Sequence, residues 1–453
     1  MSISAQNSKA TITITGNSEL RIQLKQELPG NTWSFVNAYA GAVGLGERIK
    51  TFSAFNSNQP VTTKQVAAGE YRSETTADTI SYTIQIAPQR PGDLAHISWL
   101  TRDHGVLMLA DLLPESFFKG PALVEFELPV GLGVESSFNK DARNTFVVAD
   151  PAKALFLVGS EFENQSKSHD GTSCKVVLSD RWRFKSNDVL KLAAKLIELY
   201  KQLTGAPLNK PATVLIASLP TSDSTAVWKA ETRGNTVLLL LNPRAQVKNW
   251  VGQVGVILTH ELFHLWVPNS LSFTGDYDWF FEGFTLYVAL QTALKLKLIN
   301  FQEYLDTLGR VYDSYLSYPD EQSLIAASER RWTSAVPLVY DKGMLVAFIY
   351  DVASRLESNG AESLTDKYAK IFGQRAGEPL DGNEVIIKAL SSSPATEEVL
   401  KLYVEGSGRV ELEKILPAFG FNINVDGPKS HLSVRKDLTD PQRHLIQSLG
   451  YRK

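Results

Sequence analysis

Three ionisable side chains stand close together in an otherwise apolar stretch, VGQVGVILTHELFHLW at residues 251–266. As a helix this stretch is apolar nearly all round, which predicts that it is buried. Imidazoles four residues apart lie on one side of a helix, so His260 and His264 can bind a single ion. Glu261 points only about a quarter-turn away. The HExxH pattern therefore predicts a zinc site in which Glu261 acts as a base.

An alternative interpretation makes His260 and His264 hydrogen-bonded core histidines and Glu261 a surface residue. A third ligand decides between the two. Glu282 lies eighteen positions after His264, within the apolar segment DWFFEGFTLYVAL. A buried glutamate needs a cation or many hydrogen bonds, and an ion shared with the two imidazoles supplies the cation. Two histidines and one glutamate, with a fourth position open to water, are typical of catalytic zinc.

The reaction predicted from this set is hydrolysis. Zinc lowers the pKa of a bound water towards neutrality, and Glu261 is placed to accept the proton as the water attacks a carbonyl. The oxyanion that forms needs a further donor. Tyr340, in VYDKGMLVAFIYDVASR, is the candidate, and the alternative is a packing tyrosine at the start of a helix. The second ring nitrogens of both histidines should face carboxylates or carbonyls.

Composition limits the class of protein. The chain has 453 residues, of which 43% are hydrophobic, and this supports two or three domains. A net charge of −3 argues against nucleic acid or a membrane surface as partner. The single cysteine, Cys174, excludes an intramolecular disulfide framework and a cysteine-based zinc site. No signal peptide or spanning segment is visible, which predicts a soluble protein, cytoplasmic if the chain is complete and periplasmic or secreted if a leader was removed. Nothing in the sequence indicates an oligomeric state.

Hydrophobic periodicity divides the chain. Residues 11–162 alternate as strands do, with breaks at Leu28-Pro29-Gly30 and Arg90-Pro91-Gly92, and His96 and His104 are predicted to be structural or surface residues. The polar segment 163–171 is predicted to be a loop. A helix at 187–204, strands at 213–218 and 236–241, and a zinc helix ended by Pro268 follow. Helical spacing then predicts helices at 301–316, 337–357, 363–373, 383–391 and 396–404.

The motifs resemble those of a known family. HELFHLW followed by WFFEGFTLY resembles the gluzincin metallopeptidases, and VYDKGMLVAFIYDVASR resembles the tyrosine-bearing helix of the glycyl aminopeptidase family within that clan. GEYRSETTADTISYTIQIA and YVEGSGRVELEKILPAFGF are similar to that family's β domain and to the close of its helical region. The resemblance covers most of the chain. It implies zinc bound by His260, His264 and Glu282, and it strengthens the role of Tyr340.

The chain departs from the family pattern where the substrate would bind. WKAET at 228–232 stands where the family has Gly-Gly-Leu-Glu-His. The resemblance implies that Glu231 binds the free α-amine of a substrate, and the alternative is a solvated loop carboxylate near Lys229 and Arg233. The spacing between His264 and Glu282 is closer to the aminopeptidase-N type. The family's PDZ-like module has no counterpart after Gly406.

These observations predict a multidomain α+β protein. A β-sandwich-like domain at 1–170, a thermolysin-like zinc domain at 171–300 and a helical domain at 301–453 carrying Tyr340 are expected from the resemblance. The predicted function is a zinc-dependent metallopeptidase acting on peptides, most simply an aminopeptidase. A zinc endopeptidase of the same clan is the alternative, and a non-catalytic peptide-binding relative is another.

Overall fold

The structure is a computed structural model that describes residues 8–16, 18–89, 93–169, 172–220, 228–242, 250–319, 321–332, 335–373, 380–426 and 429–452. The predicted break at Arg90-Pro91-Gly92 lies outside these ranges. The chain divides into two compact units, Met1–Lys191 with Lys210–Gln246 (unit 1) and Leu192–Asn209 with Val247–Lys453 (unit 2). In the described part of the chain, every helix is too short or too polar to cross a bilayer.

Unit 1 is built mainly of strands. They are β1 (Ser8–Gly16), β2 (Glu19–Ser34), β3 (Ala38–Tyr39), β4 (Ala42–Val43), β5 (Ile49–Asn56), β6 (Gln59–Val61), β7 (Thr63–Ala67), β8 (Glu70–Gln85), β9 (Trp99–Leu100), β10 (His104–Met108), β11 (Ala122–Glu127), β12 (Gly133–Ser136), β13 (Thr145–Val148), β14 (Leu155–Gly159), β15 (Phe162–His169), β16 (Thr172–Ser179), β17 (Ala212–Ser218), β18 (Trp228–Arg233) and β19 (Thr236–Leu241). A short helix, α1 (Leu109–Leu112), follows β10.

Three larger sheets organise unit 1, which also contains the two-stranded pair β3-β4. The first has eight strands in the order β13-β11-β1-β2-β8-β5-β6, with β7 paired to β8, and the second has four in the order β12-β14-β10-β9. The third has five strands in the order β15-β16-β17-β19-β18. On β1 and β2 every second residue is buried, as the alternation predicted: Ala10, Ile12, Ile14, Leu20, Ile22 and Leu24. The first sheet therefore turns one apolar face to a core.

Two predictions in unit 1 are wrong. The break at Leu28-Pro29-Gly30 is not a turn, because β2 continues through it and only the register with β8 shifts between Lys25 and Thr32. A bulge tolerates proline, which has no N–H to pair. The predicted loop at 163–171 is the strand β15 up to His169, paired with β16, while 170–171 lie outside the described residues. As an edge strand β15 exposes polar side chains, and such a composition resembles that of a loop.

Unit 2 is mainly helical. After α2 (Ser186–Thr204), which begins in unit 1, its helices are α3 (Trp250–Phe263), α4 (Thr285–Lys295), α5 (Phe301–Leu316), α6 (Leu324–Glu329), α7 (Gly343–Glu357), α8 (Leu364–Phe372), α9 (Gly382–Leu390), α10 (Pro394–Val399), α11 (Leu412–Ile415) and α12 (Asp440–Ser448). Two short pairs of strands accompany them: β20 (Phe273–Thr274) with β21 (Leu380–Asp381), and β22 (Phe421–Asp426) with β23 (Lys429–Val434).

The predicted helices are present, but the sequence did not predict which segments are π-helical. The helices at 187–204 and 301–316 are α2 and α5. The capping box that starts α5 explains its sharp beginning, since Asn300 and Glu303 bond each other's backbone N–H groups at 3.0 and 2.7 Å. Three segments are π-helical rather than α-helical: Trp279–Phe284, Leu338–Lys342 and Leu400–Glu405. Such wide turns are rare and frequently lie at functional sites.

Candidate metal centre

Two imidazoles and one carboxylate converge in unit 2. His260 lies in the last turn of α3, His264 follows α3 directly, and Glu282 lies in the π-helical segment Trp279–Phe284. The Nε2 atoms of the two histidines are 3.0 Å apart, and each is 3.5 Å from Oε2 of Glu282. The three side chains thus bring one ligand atom each to a common point, within 4.8 Å of one another.

Helix α3 ends earlier than the sequence predicted. The expected end was Pro268, but α3 ends at Phe263 and residues 264–270 form turns. The cause is a tighter last turn, in which Leu265 and Trp266 donate to carbonyls three residues back, at 3.2 and 2.9 Å. His264 nevertheless stays beside His260, so the spacing argument survives the shorter helix.

The outer ring nitrogens of the two histidines differ. Nδ1 of His264 lies 2.9 Å from the Val267 carbonyl, to which it donates, so Nε2 is the ring nitrogen that faces the other ligands. The prediction of a carboxylate or carbonyl beside the outer ring nitrogen of each histidine is thus met at His264 and, within the described ranges, not at His260. Nδ1 of His260 is buried and has no hydrogen-bond partner among the described residues.

The ligand set fits zinc. Two imidazole nitrogens and one carboxylate oxygen are the protein ligands of a catalytic zinc ion, which keeps its fourth position open. Within the described ranges, His260, His264 and Glu282 are the one group of such side chains close enough to share an ion. The predicted ligands are therefore brought together, and their identity as zinc ligands stays a prediction.

Charge explains how Glu282 remains ionised inside the protein. Burial by itself raises the pKa of this carboxyl group, but His264 and Arg331 hold it well below the ordinary value. Burial likewise lowers the pKa of His264, yet the neighbouring Glu282 raises it to about 9. The centre thus presents a carboxylate whose charge attracts a cation to the point where the imidazoles meet.

The predicted base and the predicted donor lie close to this centre. Glu261 is buried on α3, and its charge contributes to raising the pKa values of both His264 and Tyr340. Tyr340 lies on the π-helical segment Leu338–Lys342, directly before α7. Burial, and then the charge of Glu282, hold the pKa of Tyr340 well above its ordinary value. Its hydroxyl is therefore protonated at neutral pH and can donate a hydrogen bond.

Two glycines let the segments that carry Glu282 and Tyr340 approach each other. A Cβ atom on Gly283 would lie 2.6 Å from the Val339 carbonyl oxygen, and one on Gly343 would lie 3.0 Å from the Cα of Gly283. A side-chain carbon atom does not fit at Gly283, so glycine is required there, and one at Gly343 would be tight against the same backbone. Glu282 and Tyr340 are held near one another by contact between two backbones.

Sequence reasoning missed one residue of the centre, Arg331. It lies just after α6, and its side chain is only 12% exposed. Its guanidinium contacts Asp278, Glu282 and Tyr340. No motif or period singles out this arginine in SERRWTS, because it reaches the centre from a turn through a long side chain.

Glu231 belongs to unit 1, on β18 at the edge of the five-stranded sheet, and not to a loop. Its side chain is 12% exposed, and it accepts hydrogen bonds from His96 Nδ1 and from Arg233 Nε, the latter at 3.2 Å. Tyr39 contributes a hydroxyl at 3.4 Å. Burial raises the pKa of Glu231, but His96 and Arg233 together hold it below the ordinary value. Its predicted role in binding a substrate amine stays a prediction.

Similar proteins are found by structure and not by sequence. No family model matches the chain, and no curated protein matches it. The fold is that of zinc metallopeptidases of the aminopeptidase N type. An aminopeptidase N family protein from Idiomarina loihiensis superposes with a TM-score of 0.77 over 92% of this chain and 79% of its own, at 17% identity.

Two structures of an M1 zinc metallopeptidase from Deinococcus radiodurans are also similar. The enzyme itself gives a TM-score of 0.56 over 90% of this chain and 94% of its own, at 15% identity. A variant bound to a Tyr-Ser-Ala substrate gives 0.55, over 90% and 95%, at 15% identity. These likenesses confirm a mixed α+β fold, while the three predicted domain ranges stay a prediction.

Proposed function

We propose that the protein is a zinc-dependent peptidase that removes residues from the N-terminus of peptides. The observation that carries this proposal is the convergence of His260, His264 and Glu282 on one point, with the hydroxyl of Tyr340 held beside it. A zinc ion bound there would acidify a water molecule and polarise a substrate carbonyl. The structural neighbours include an aminopeptidase N family protein and an M1 zinc metallopeptidase, and this supports the same reaction class.

Two side chains of the protein, Glu261 and Tyr340, supply proton transfer and stabilisation of the oxyanion. Glu261, next to His260 on α3, accepts the proton of the attacking water and passes it to the departing amine. Tyr340 remains protonated because of its raised pKa and donates to the oxyanion of the tetrahedral intermediate. The peptide as substrate class is supported by the Deinococcus radiodurans structure, which contains a Tyr-Ser-Ala substrate.

Glu231 bears on whether cleavage starts at a free N-terminus. As a carboxylate on an edge strand it can bind an ammonium group, and this supports an aminopeptidase. However, the two carboxylate oxygens of Glu231 already accept hydrogen bonds from Arg233 and His96. This observation favours the second candidate function, an endopeptidase. An amine would have to displace or share one of these partners.

The proposed base is tested by Glu261→Gln. Since the amide cannot accept a proton, we expect zinc to bind at wild-type stoichiometry while turnover falls by about 10²–10⁴-fold. Zinc content by metal analysis and kcat on a free peptide measure the two effects. Glu135→Gln is the matched control, because Glu135 is also buried but pairs with Lys140 and Lys175, and its turnover should equal that of the wild type. Undiminished turnover of Glu261→Gln would show that the mechanism is wrong.

The exopeptidase assignment is tested with pairs of peptides that differ only in N-terminal acetylation, with and without a chelator. The proposal predicts cleavage of the free peptides alone, and loss of cleavage with chelator. Equal cleavage of acetylated peptides would establish the endopeptidase instead. Stoichiometric zinc without cleavage of any member of a broad peptide library would establish a peptide-binding protein.

A further inference from the structure

We propose that Arg331 is the positioning residue of the metal centre, which fixes the orientation of Glu282 towards the ion and of the Tyr340 hydroxyl towards the substrate. The inference rests on the proposed function. It assigns a task to a residue that no motif singles out. The contacts of the two Nη atoms of Arg331 carry it.

Arg331 decides which oxygen of Glu282 is available to a metal. Its Nη2 donates to Oε1 of Glu282 at 2.6 Å, while Oε2 faces the two histidines at 3.5 Å. A free carboxylate can rotate and bind an ion through either oxygen or both. With Oε1 held, Glu282 offers a single oxygen, and a further position remains for water or substrate.

The same nitrogen determines where the Tyr340 hydroxyl can donate. Nη2 of Arg331 also donates to the Tyr340 oxygen, at 2.5 Å. Arginine has no acceptor, so the hydroxyl hydrogen of Tyr340 cannot be used in this contact and points elsewhere. Nη2 carries two hydrogens, one for Glu282 and one for Tyr340. Nη2 of Arg331 thus holds both Glu282, the proposed metal ligand, and Tyr340, the proposed oxyanion donor.

Arg331 is itself held in place. Its Nη1 donates to Oδ1 of Asp278 at 2.9 Å, and its guanidinium carbon lies 4.3 Å from the ring centroid of Trp332 and 5.5 Å from that of Phe281. A planar fork suits these three acceptors, whereas the ammonium group of a lysine is a single point. Because the guanidinium is itself held in place, its hydrogen bonds fix the positions of the Glu282 carboxylate and the Tyr340 hydroxyl.

Arg355 provides a matched control. It too is 12% exposed in unit 2, and it donates to Asp351, whose carboxylate also accepts a hydrogen bond from Tyr287. This set combines arginine, carboxylate and tyrosine, as the Arg331 set does, but contains none of the proposed metal ligands. Arg355→Met therefore measures what the loss of a largely buried arginine does to unit 2 in general.

The test compares Arg331→Met, Arg331→Lys and Arg355→Met. Zinc Kd is measured by chelator competition, kcat and KM with saturating zinc, and the unfolding midpoint on the metal-free proteins. We expect Arg331→Met to weaken zinc binding by about 10–100-fold and to lower kcat by about 10²–10³-fold, with a much smaller change in KM. Arg331→Lys should recover only part of either loss. Arg355→Met should lower the unfolding midpoint and leave zinc Kd and kcat unchanged.

Two further measurements separate positioning from a general structural effect. In Arg331→Met/Tyr340→Phe, kcat should be close to that of Tyr340→Phe alone, because Arg331 acts on the oxyanion through Tyr340. Millimolar guanidinium ion should restore part of kcat and of zinc affinity in Arg331→Ala, and should not change either quantity in Arg355→Ala.

The inference is overturned if Arg331→Met keeps wild-type zinc Kd and kcat, if it behaves as Arg355→Met does, or if the kcat losses in the double variant multiply. These outcomes differ from failure of the proposed function itself. In that case the wild-type protein would neither bind zinc stoichiometrically nor hydrolyse peptides.

Discussion

Glu282, which is buried, and Glu231, whose side chain is 12% exposed, have the same kinds of neighbour, namely histidine, arginine and tyrosine, but the neighbours are arranged differently. Around Glu231 each carboxylate oxygen has its own partner, Oε2 with His96 and Oε1 with Arg233. Arg233 lies two residues further along the same strand, and its guanidinium covers the ring of Tyr39 at 4.8 Å. The charges compensate within the cluster.

Around Glu282 the arrangement is different. Oε1 is bonded to Arg331, whereas Oε2 faces His260 and His264 at 3.5 Å, too far for a strong hydrogen bond to either. Two imidazoles and a carboxylate thus meet around a point instead of pairing. The comparison teaches that convergence of ligand atoms, and not the types of residue in a cluster, separates a candidate metal centre from an ion pair.

The largest expected difference between the two glutamates is in zinc binding, when each is changed to glutamine. Glu282→Gln removes a charged ligand, so zinc binding should weaken by more than about 100-fold, beyond the loss of a mere supporting contact. Glu231→Gln should leave zinc Kd unchanged, because Glu231 shares no ion with the histidines. Chelator competition on both variants measures this. Weaker zinc binding by Glu231→Gln would show that the two glutamates do not differ in their relation to the metal.

Removal of the tyrosine hydroxyl beside Glu282 should have the next largest effect. Tyr340→Phe is expected to lower kcat by about 10²–10³-fold, as loss of one oxyanion donor does, while zinc Kd stays constant. Tyr287→Phe is the control, since it removes a hydroxyl bonded to the Asp351 carboxylate, and its kcat should not change. Full turnover of Tyr340→Phe would favour the packing tyrosine.

The smallest expected effect is on acid stability and concerns Glu231. Its folded pKa lies below the ordinary value of 4.5, so its ion pairs stabilise the fold above that pH and stop doing so as the pH falls through the folded pKa. Glu231→Gln should therefore remove about 1–3 kcal/mol at neutral pH, and this difference should shrink below pH 4.5. Urea unfolding of metal-free protein between pH 7 and about 3 measures it.

Glu161→Gln is the control for the acid experiment, because Glu161 pairs with Arg181 on the surface, with 60% of its side chain exposed. Its unfolding curve should follow that of the wild type at every pH. An equal decline in both glutamine variants and the wild type would show that the Glu231 ion pairs do not stabilise the fold.

Periodicity and buried charge are sufficient to predict much of the centre. His260 and His264 follow from helical spacing, and Glu282 follows because an apolar segment cannot hold an uncompensated carboxylate. Tyr340 needed the family resemblance in addition, since one of 15 tyrosines has no distinguishing pattern. Arg331 could not be predicted, because a side chain that extends from a turn obeys no period.

The errors in the fold have physical reasons as well. Proline at 29 indicates a break by its chemistry, but a bulge accommodates the missing N–H within β2. The early end of α3 and the π-helical segments depend on whether each backbone N–H bonds to the carbonyl three, four or five residues back. The types of the residues constrain this hydrogen-bond pattern only weakly. The roles of Glu231 and the domain ranges stay predictions.

The contact between Gly283 and Gly343 has a consequence for how this protein can change over evolutionary time. Because main-chain atoms determine the spacing between Glu282 and Tyr340, substitutions of other side chains around the site can occur without separating these two residues. A larger residue at Gly283 would separate them. The surrounding side chains are thus free to diverge as long as position 283 stays glycine.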